Sequence, residues 1–166
     1  MTRLIALDIS TKNTGWAIYE DGIYKESGVI YCGQIKETDK RINEMMYFII
    51  DKIDGCIPDI CVVEQSILGN RNPNSFRELS MILGAVFYHC MEMGIFYYTY
   101  TPSEWRKLID PGKKPRKREE LKKWDIDKVT ELYSKTLQTD DEADAILIGT
   151  AYINMWDKQE KKNENK

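Results

Sequence analysis

The sequence predicts one α/β domain with a mixed five-stranded sheet and helices on both faces of that sheet. Three strand-like runs near the start of the chain are joined by short polar turns, which is typical of an antiparallel meander. Helix-like and strand-like segments then alternate, which is typical of strands linked through helices. We expect residues 1–156 to form this domain and the charged tail 157–166 to be flexible.

Short aliphatic and β-branched runs predict the first three strands. Residues 4–9 form an aliphatic run that indicates a buried strand. A polar turn separates this run from a second one at residues 15–19, and the turn signal Asp21-Gly22 precedes a third at residues 28–35. We therefore expect the chain to begin as a three-stranded meander.

Apolar residues at spacings of three and four predict an amphipathic helix over residues 40–53. Gly55 ends it and Pro58 follows, as at many helix ends. Residues 59–64 then form a short aliphatic strand. The later elements are a helix over 75–93, a strand over 95–100, a short helix that Thr101 begins, helices over 117–124 and 127–137, and a last helix that Thr139 begins.

Composition and cysteine spacing exclude several classes of protein. The chain is 42% apolar and 31% charged, which is the balance of a globular domain. Its longest uncharged apolar run, residues 81–88, is too short to cross a membrane, and its start has no signal-peptide pattern, so we expect a cytoplasmic protein without a membrane partner. A zinc site needs more histidine than His89 alone and tighter cysteine spacing, so we expect a structural histidine and reduced core thiols at Cys32, Cys56, Cys61 and Cys90.

Four carboxylates lie where the pattern of the chain does not favour them. Asp8 and Glu64 each end an aliphatic strand, although carboxylates are depleted in strands and costly to bury. Asp141 and Asp144 lie three residues apart, so both project from one face of the last helix. Taken one by one, they could be turn residues, solvated strand ends or partners of the helix dipole.

Taken together, the four carboxylates indicate a metal site. Like charges that converge repel one another unless cations neutralise them. Oxygen ligands without clustered histidine or cysteine favour Mg²⁺ or Mn²⁺ over zinc. Two such ions about 3.5–4 Å apart would suit in-line hydrolysis of a phosphodiester.

The formal charge of −3 disfavours a nucleic-acid partner at first sight, but the charge is uneven along the chain. Residues 113–123 hold seven basic and two acidic side chains, a net of +5, so the rest of the chain carries −8. This segment is either a solvated helix start with internal charge pairs or a phosphate-binding segment, since Lys and Arg release counterions from DNA. The candidate DNA contacts are Lys113, Lys114, Arg116, Lys117, Arg118 and Lys122.

Three motifs, taken in order, resemble a known family. They are Leu7-Asp8-Ile9-Ser10 followed by Gly15, then Val63-Glu64-Gln65, and then Asp140-Asp141-Glu142-Ala143-Asp144-Ala145. Their order and spacing resemble those of RuvC-type Holliday junction resolvases, of the ribonuclease H-like superfamily, over residues 5–153. Between them, Tyr100-Thr101-Pro102-Ser103 with Arg106-Lys107 resembles the Pro-containing strand exit of that family.

The resemblance implies a ribonuclease H-like fold with a catalytic, metal-binding tetrad at Asp8, Glu64, Asp141 and Asp144. It leaves open whether the adjacent Asp140 also contacts metal. It further implies two Mg²⁺ ions per site, for which Mn²⁺ would substitute, and a homodimer that nicks two strands of a four-way DNA junction. The helix over residues 76–93 would help form the dimer, with candidate contacts at Met81, Phe87 and Met91.

The chain departs from the family pattern in two places. Ile67 stands where the family often has a phenylalanine near the junction centre, so an aliphatic side chain would have to wedge or stack there. The turn Ser10-Thr11-Lys12-Asn13 replaces the commoner Pro-Gly start. Both departures fit a viral or phage-like branch, which would place the protein in the host cytoplasm.

Two alternatives stay open on the sequence alone, and the length of the chain argues against a third. A nuclease of the same fold could act on RNA or RNA–DNA hybrids, and a module of the same fold could bind DNA without cleaving it. The turn from Asp8 through Ser10 to Gly15 also resembles the phosphate loop of actin-like sugar-kinase ATPases. Those enzymes need two such domains, which 166 residues cannot hold.

Overall fold

The sheet is mixed, and its strand order sets the position of the site. The computed structural model describes residues 1–65, 72–137 and 139–164, and these contain five strands: β1 (Arg3–Asp8), β2 (Asn13–Glu20), β3 (Ile23–Tyr31), β4 (Ile60–Glu64) and β5 (Phe96–Tyr100). Their order across the sheet is β3-β2-β1-β4-β5. β1, β2 and β3 pair antiparallel, as the predicted meander requires, whereas β1, β4 and β5 pair parallel.

The strand β3 begins at Ile23 rather than at the predicted Gly28. Asp21 and Gly22 both have positive φ, 49° and 76°, which is the geometry of a two-residue hairpin turn. The chain therefore reverses at once, and Glu20 pairs with Ile23. The start of this edge strand is mostly exposed, so it lacks the apolar pattern that identifies strands in a sequence.

Helices cover both faces of the sheet, as expected. α1 (Thr38–Cys56) and α2 (Pro73–Glu92) lie on one side, and α3 (Pro102–Ile109), α4 (Arg118–Tyr133) and α5 (Asp140–Glu164) lie on the other. Because side chains alternate along a strand, β1 supplies Ile5 and Leu7 to the first core and Leu4 and Ala6 to the second. The first turns of α5 are buried on all sides, and their small and aliphatic residues are fully buried: Ala143, Ala145, Ile146, Leu147 and Ile148.

One helix stands where the sequence predicts two. The predicted segments 117–124 and 127–137 are joined in α4, which runs without a break to Tyr133. Asp125, at the predicted break, is buried and accepts hydrogen bonds from the Arg106 side chain, so a tertiary contact keeps it within the helix. The helix ends at Tyr133 because Ser134 adopts a left-handed conformation, with φ 52°, and its N–H donates to Thr130 O.

The short helix α3 begins after Thr101, as predicted, and Thr101 and Glu104 form a capping box there. Glu104 N donates to Thr101 Oγ1 at 3.4 Å, and Thr101 N donates to Glu104 Oε2 at 2.8 Å. Pro102 stands in the first turn, where its missing N–H costs nothing. This start fixes the direction of the next two side chains, Trp105 and Arg106.

The remaining structural expectations concern thiols, the histidine and membrane spans. All four cysteines are buried free thiols, as predicted. His89 Nε2 lies 2.7 Å from Asp54 Oδ1, so it links α2 to α1. Within the described ranges, no helix combines the length and the apolar character that crossing a membrane requires. α5 continues to Glu164, so helical backbone extends into the segment 157–166.

Candidate active site

Asp8 and Glu64 lie side by side where two neighbouring inner strands of the sheet end. They are the last residues of β1 and β4, which are parallel neighbours, so both carboxylates stand at the carboxyl ends of their strands. Ala6 and Val62, two residues earlier, pack into the core beneath α5, and side-chain alternation therefore directs Asp8 and Glu64 to that same face. The strands that follow β1 in the chain lie first on one side of it (β2 and β3) and then on the other (β4 and β5). The point where the strand order reverses in this way is the usual position of a ligand site in such sheets.

The helix α5 places Asp141 and Asp144 beside the two strand ends. Gly15 lies opposite Asp8 on β2. A Cβ placed on Gly15 would stand 1.8 Å from the carbonyl oxygen of Asp141 and 3.2 Å from Ala145 Cβ. Only glycine at this position therefore lets the first turn of α5 rest directly on the sheet.

All four predicted carboxylates line one cleft of about 430 Å³. Two cations of the predicted basic segment, Arg118 and Lys122, line it as well. The other lining residues are Ile9, Ser10, Arg106, Leu121, Asp125 and Asp140. The structure thus brings the predicted tetrad together from three separate elements and places part of α4 opposite it.

Burial and the clustering of negative charge raise the pKa of Asp8, Asp141 and Asp144. Burial, and then the nearby carboxylates of Glu64 and Asp141, raise the pKa of Asp8 well above its usual value. Burial and then Asp8 likewise raise the pKa of Asp144 well above its usual value, with Arg106 acting in the opposite direction. Burial and the acidic neighbour before it raise the pKa of Asp141. A cleft of this kind favours bound cations, because each cation relieves the repulsion.

Hydrogen bonds from the protein orient two of the carboxylates. Trp105 Nε1 donates to Glu64 Oε2 at 2.7 Å, and the Trp105 ring is fully buried. Asn13, the first residue of β2, donates from Nδ2 to Asp141 Oδ2 at 3.3 Å. In the described ranges, no three acidic, histidine or cysteine side chains already surround one point as metal ligands.

A third carboxylate, Asp144, lies next to the positively charged side chain of Arg106. Arg106 Nη2 lies 3.5 Å from Asp144 Oδ2, and the same guanidinium donates to both oxygens of Asp125, from Nε at 3.1 Å and from Nη2 at 2.9 Å. The guanidinium carbon of Arg106 also lies 4.0 Å from the centroid of the Trp105 ring. Two consecutive residues of α3 thus contact Glu64 and Asp144, which belong to different elements.

The donor set fits hard divalent cations. Asp144 Oδ1 is buried and has no hydrogen-bond partner among the residues that the structure describes, and the same holds for Asn13 Oδ1. Buried oxygens of this kind are costly unless a donor or a cation faces them. Carboxylate and amide oxygens are the ligands that Mg²⁺ and Mn²⁺ prefer. Asp8, Glu64, Asp141 and Asp144 are therefore suited to hold such ions.

The predicted DNA contacts fall into three groups. Arg118 and Lys122 line the cleft, and Lys122 pairs with Asp140. Lys114 is held by its own loop, since its Nζ donates to Asp110 O at 2.6 Å and to Gly112 O at 2.9 Å. The exposed side chains outside the cleft are Lys113, Arg116 and Lys117. Ile67, the candidate wedge, lies outside the described residues.

The partners of the tetrad are largely absent from the sequence-based prediction. The sequence alone does not predict the contacts of Asn13 and Asp125 with the site, and it marks Arg106 only by its resemblance to a family motif. Asp125 does leave one signal, because it stands between Leu121 and Val129 at helical spacing, on a row that is otherwise apolar. A charged residue on such a row indicates a buried partner.

No protein-family model and no curated protein sequence matches the chain, but solved structures do. RuvC of Thermus thermophilus in complex with a Holliday junction substrate gives a TM-score of 0.73 at 14% identity, covering 94% of this chain and 95% of that one. Fowlpox virus resolvase with Holliday junction DNA gives 0.65 at 16% identity, covering 93% and 99%. The yeast mitochondrial Holliday junction resolvase Ydc2 gives 0.62 at 17% identity, covering 99% and 82%. The chain therefore has the ribonuclease H-like fold of the RuvC-type Holliday junction resolvases, as its sequence predicts.

Proposed function

We propose that the chain is a metal-dependent endonuclease that cleaves Holliday junctions and related branched DNA as a homodimer. The observation that carries this proposal is the convergence of Asp8, Glu64, Asp141 and Asp144 in one cleft, from three elements of a resolvase-type fold. The similar solved structures come from proteins that act on Holliday junctions, and two of them are complexes with junction DNA. A DNA-binding module without catalysis would have no use for a buried acidic cluster, which repels phosphate.

The four carboxylates would hold two Mg²⁺ ions, for which Mn²⁺ would substitute. When bound, the ions would supply Lewis-acid stabilisation and an activated water for phosphodiester hydrolysis. The chain's own contribution is to fix the ligands: Trp105 orients Glu64, Asn13 orients Asp141, and Gly15 keeps α5 against the sheet. This chemistry requires no protein nucleophile, and we expect products with a 5′ phosphate and a 3′ hydroxyl.

The basic side chains of α4 would draw the DNA backbone to the acidic cleft. Arg118 and Lys122 lie on the cleft wall, and Lys113, Arg116 and Lys117 are exposed nearby in sequence. Phosphate contacts of this kind supply affinity without reading sequence. With cations bound among the carboxylates, the cleft itself would repel phosphate far less. We further propose that Ile67 contacts the junction centre.

A homodimer would supply the two active sites that two cuts need, because the described residues of one chain converge in one cleft of this kind. The exposed face of α2 offers a suitable contact surface, with Met81, Phe87 and Met91 at 53%, 48% and 57% exposure. Gly84 lies on this same face, and no described atom lies within 4 Å of a Cβ placed there. A second copy of α2 could therefore approach closely and bury these side chains.

A cleavage assay on defined substrates tests the proposal. A labelled four-way DNA junction and an RNA–DNA hybrid duplex of matched length are incubated with the protein in Mg²⁺, in Ca²⁺ and in EDTA. We expect paired nicks in the junction with Mg²⁺ only, and products that DNA ligase reseals directly. Cleavage of the hybrid in preference to the junction would favour the RNA-directed alternative, and products with 3′ phosphates would contradict the proposed chemistry.

A further inference from the structure

Asp125 is a buried acid that the metal-binding tetrad does not explain. Its side chain is 1% exposed and belongs to α4, between Leu121 and Val129 on the row that faces the protein interior. A carboxylate so deeply buried is costly unless a cation pairs with it. Arg106 supplies that cation through two hydrogen bonds, at 3.1 Å from Nε and at 2.9 Å from Nη2.

Arg106 is fixed on three sides and is only 13% exposed. Asp125 accepts hydrogen bonds from one edge of the guanidinium, and the Trp105 ring stacks on its face, with 4.0 Å between the guanidinium carbon and the ring centroid. Asp144 Oδ2 lies 3.5 Å from Nη2. The two contacts of Nη2 are unequal, because the bond to Asp125 is 0.6 Å shorter than the contact with Asp144. The two hydrogen bonds therefore direct the positive charge of Arg106 mainly to Asp125.

This geometry decides whether an oxygen of Asp144 is available to a metal ion. Without Asp125, the positive charge of the guanidinium would no longer be neutralised by a partner, and it would compete with any metal ion for the oxygens of Asp144. With the two hydrogen bonds to Asp125 in place, Asp144 Oδ1 is buried and has no hydrogen-bond partner among the described residues.

We infer that Asp125 is a positioning residue that restrains Arg106, so that Asp144 keeps an oxygen for a divalent cation. The inference rests on the proposed function, since it concerns the same site. In this role Asp125 would act through Arg106 and not as a metal ligand itself.

Metal binding by the full-length, DNA-free protein tests this role. Mn²⁺ is titrated into the wild type, into Asp125→Asn and into Asp127→Asn, with isothermal calorimetry as the readout. Asp127 is an exposed acid of the same helix, so its variant is matched in charge and in chemistry. We expect Asp125→Asn to weaken Mn²⁺ binding by about 10- to 100-fold, the usual effect of losing a residue that orients a metal ligand. Asp127→Asn should bind as the wild type does.

A double variant separates positioning from mere support of the fold. Asp125→Asn combined with Arg106→Gln replaces the ion pair with two neutral amides, and it removes the competing charge. Asparagine has the shape of Asp125, whereas glutamine is shorter than Arg106. We expect this double variant to bind Mn²⁺ at least as tightly as the wild type. A double variant as weak as Asp125→Asn alone would overturn the inference, because the loss would then not pass through Arg106.

The outcomes also distinguish this inference from the proposed function. If the wild type binds Mn²⁺ and Asp125→Asn binds it equally well, the role of Asp125 is wrong and the metal site stands. If the wild type binds no Mn²⁺, the proposed metal-dependent function is wrong, and the inference with it. Should Asp125→Asn fail to fold, the double variant alone still decides, since weaker Mn²⁺ binding than in the wild type contradicts the inference.

Discussion

The substitution Gly15→Ala should damage the site without touching a carboxylate. The added methyl group would stand 1.8 Å from the carbonyl oxygen of Asp141 and 2.5 Å from its carbonyl carbon, whereas real Cβ atoms keep at least 3.0 Å. Both are backbone atoms, so no side-chain rotation relieves the overlap. The first turn of α5 would have to retreat by about 1.2 Å, the difference between those distances, and Asp141 would move with it.

Two magnitudes follow from that displacement. Overpacking of a well-filled interior costs about 1–3 kcal/mol, so we expect the free energy of unfolding to fall by that amount. A misplacement of about 1 Å at a reacting centre costs about 100-fold in rate, so we expect junction cleavage to slow by that factor. Binding of the junction should change little, because the basic side chains lie on α4 and on the loop before it.

Urea unfolding and single-turnover junction cleavage measure the two effects. Gly55→Ala is the matched control, since Gly55 lies in α1 with no described atom within 4 Å of a Cβ placed there. That control should be neutral or stabilising by about 0.5–1 kcal/mol and should cleave at the wild-type rate. A Gly15→Ala protein with wild-type stability and rate would refute the reasoning that α5 rests on this glycine.

Three further predictions follow. Burial and neighbouring carboxylates raise the folded-state pKa of Asp8, so the folded state binds more protons than the unfolded state. The unfolding free energy of the chelator-treated protein should therefore fall as the pH rises from about 4. Urea titrations should show a smaller fall for Asp8→Asn. Parallel pH profiles for the two proteins would contradict this. Gly84→Glu should turn a dimer into a well-folded monomer in light scattering, and a wild type that is monomeric at every concentration would refute the proposed dimer. Trp105→Phe removes the donor to Glu64 and should lower the unfolding free energy by about 1.5–3 kcal/mol, with slower single-turnover cleavage; wild-type values would contradict the contact.

The sequence allowed the fold to be predicted where local pattern and tertiary structure agree. Aliphatic runs identified the strands that end in Asp8 and Glu64, and the spacing of three residues put Asp141 and Asp144 on one helix face. The likeness to resolvases added the order of the motifs, which no single motif supplies. Each motif lies within a short stretch of chain, and only their order spans the whole domain.

The contacts that tune the site could not be predicted, because they join residues far apart in sequence. Glu64 and Trp105 are 41 residues apart, and Asn13 and Asp141 are 128 apart. The same reason explains the error in α4. An isolated Asp125 disfavours a helix interior, and only its pairing with Arg106 makes one continuous helix favourable.

The central claim is that the carboxylates at the ends of β1, β4 and the start of α5 form one metal-dependent nuclease centre. Its most direct test is cleavage of a labelled four-way junction in Mg²⁺ by the wild type and by Asp8→Asn, with junction binding measured in Ca²⁺ in parallel. We predict that Asp8→Asn abolishes cleavage and leaves binding intact. Cleavage that persists in Asp8→Asn at the wild-type rate, with binding unchanged, would contradict the claim.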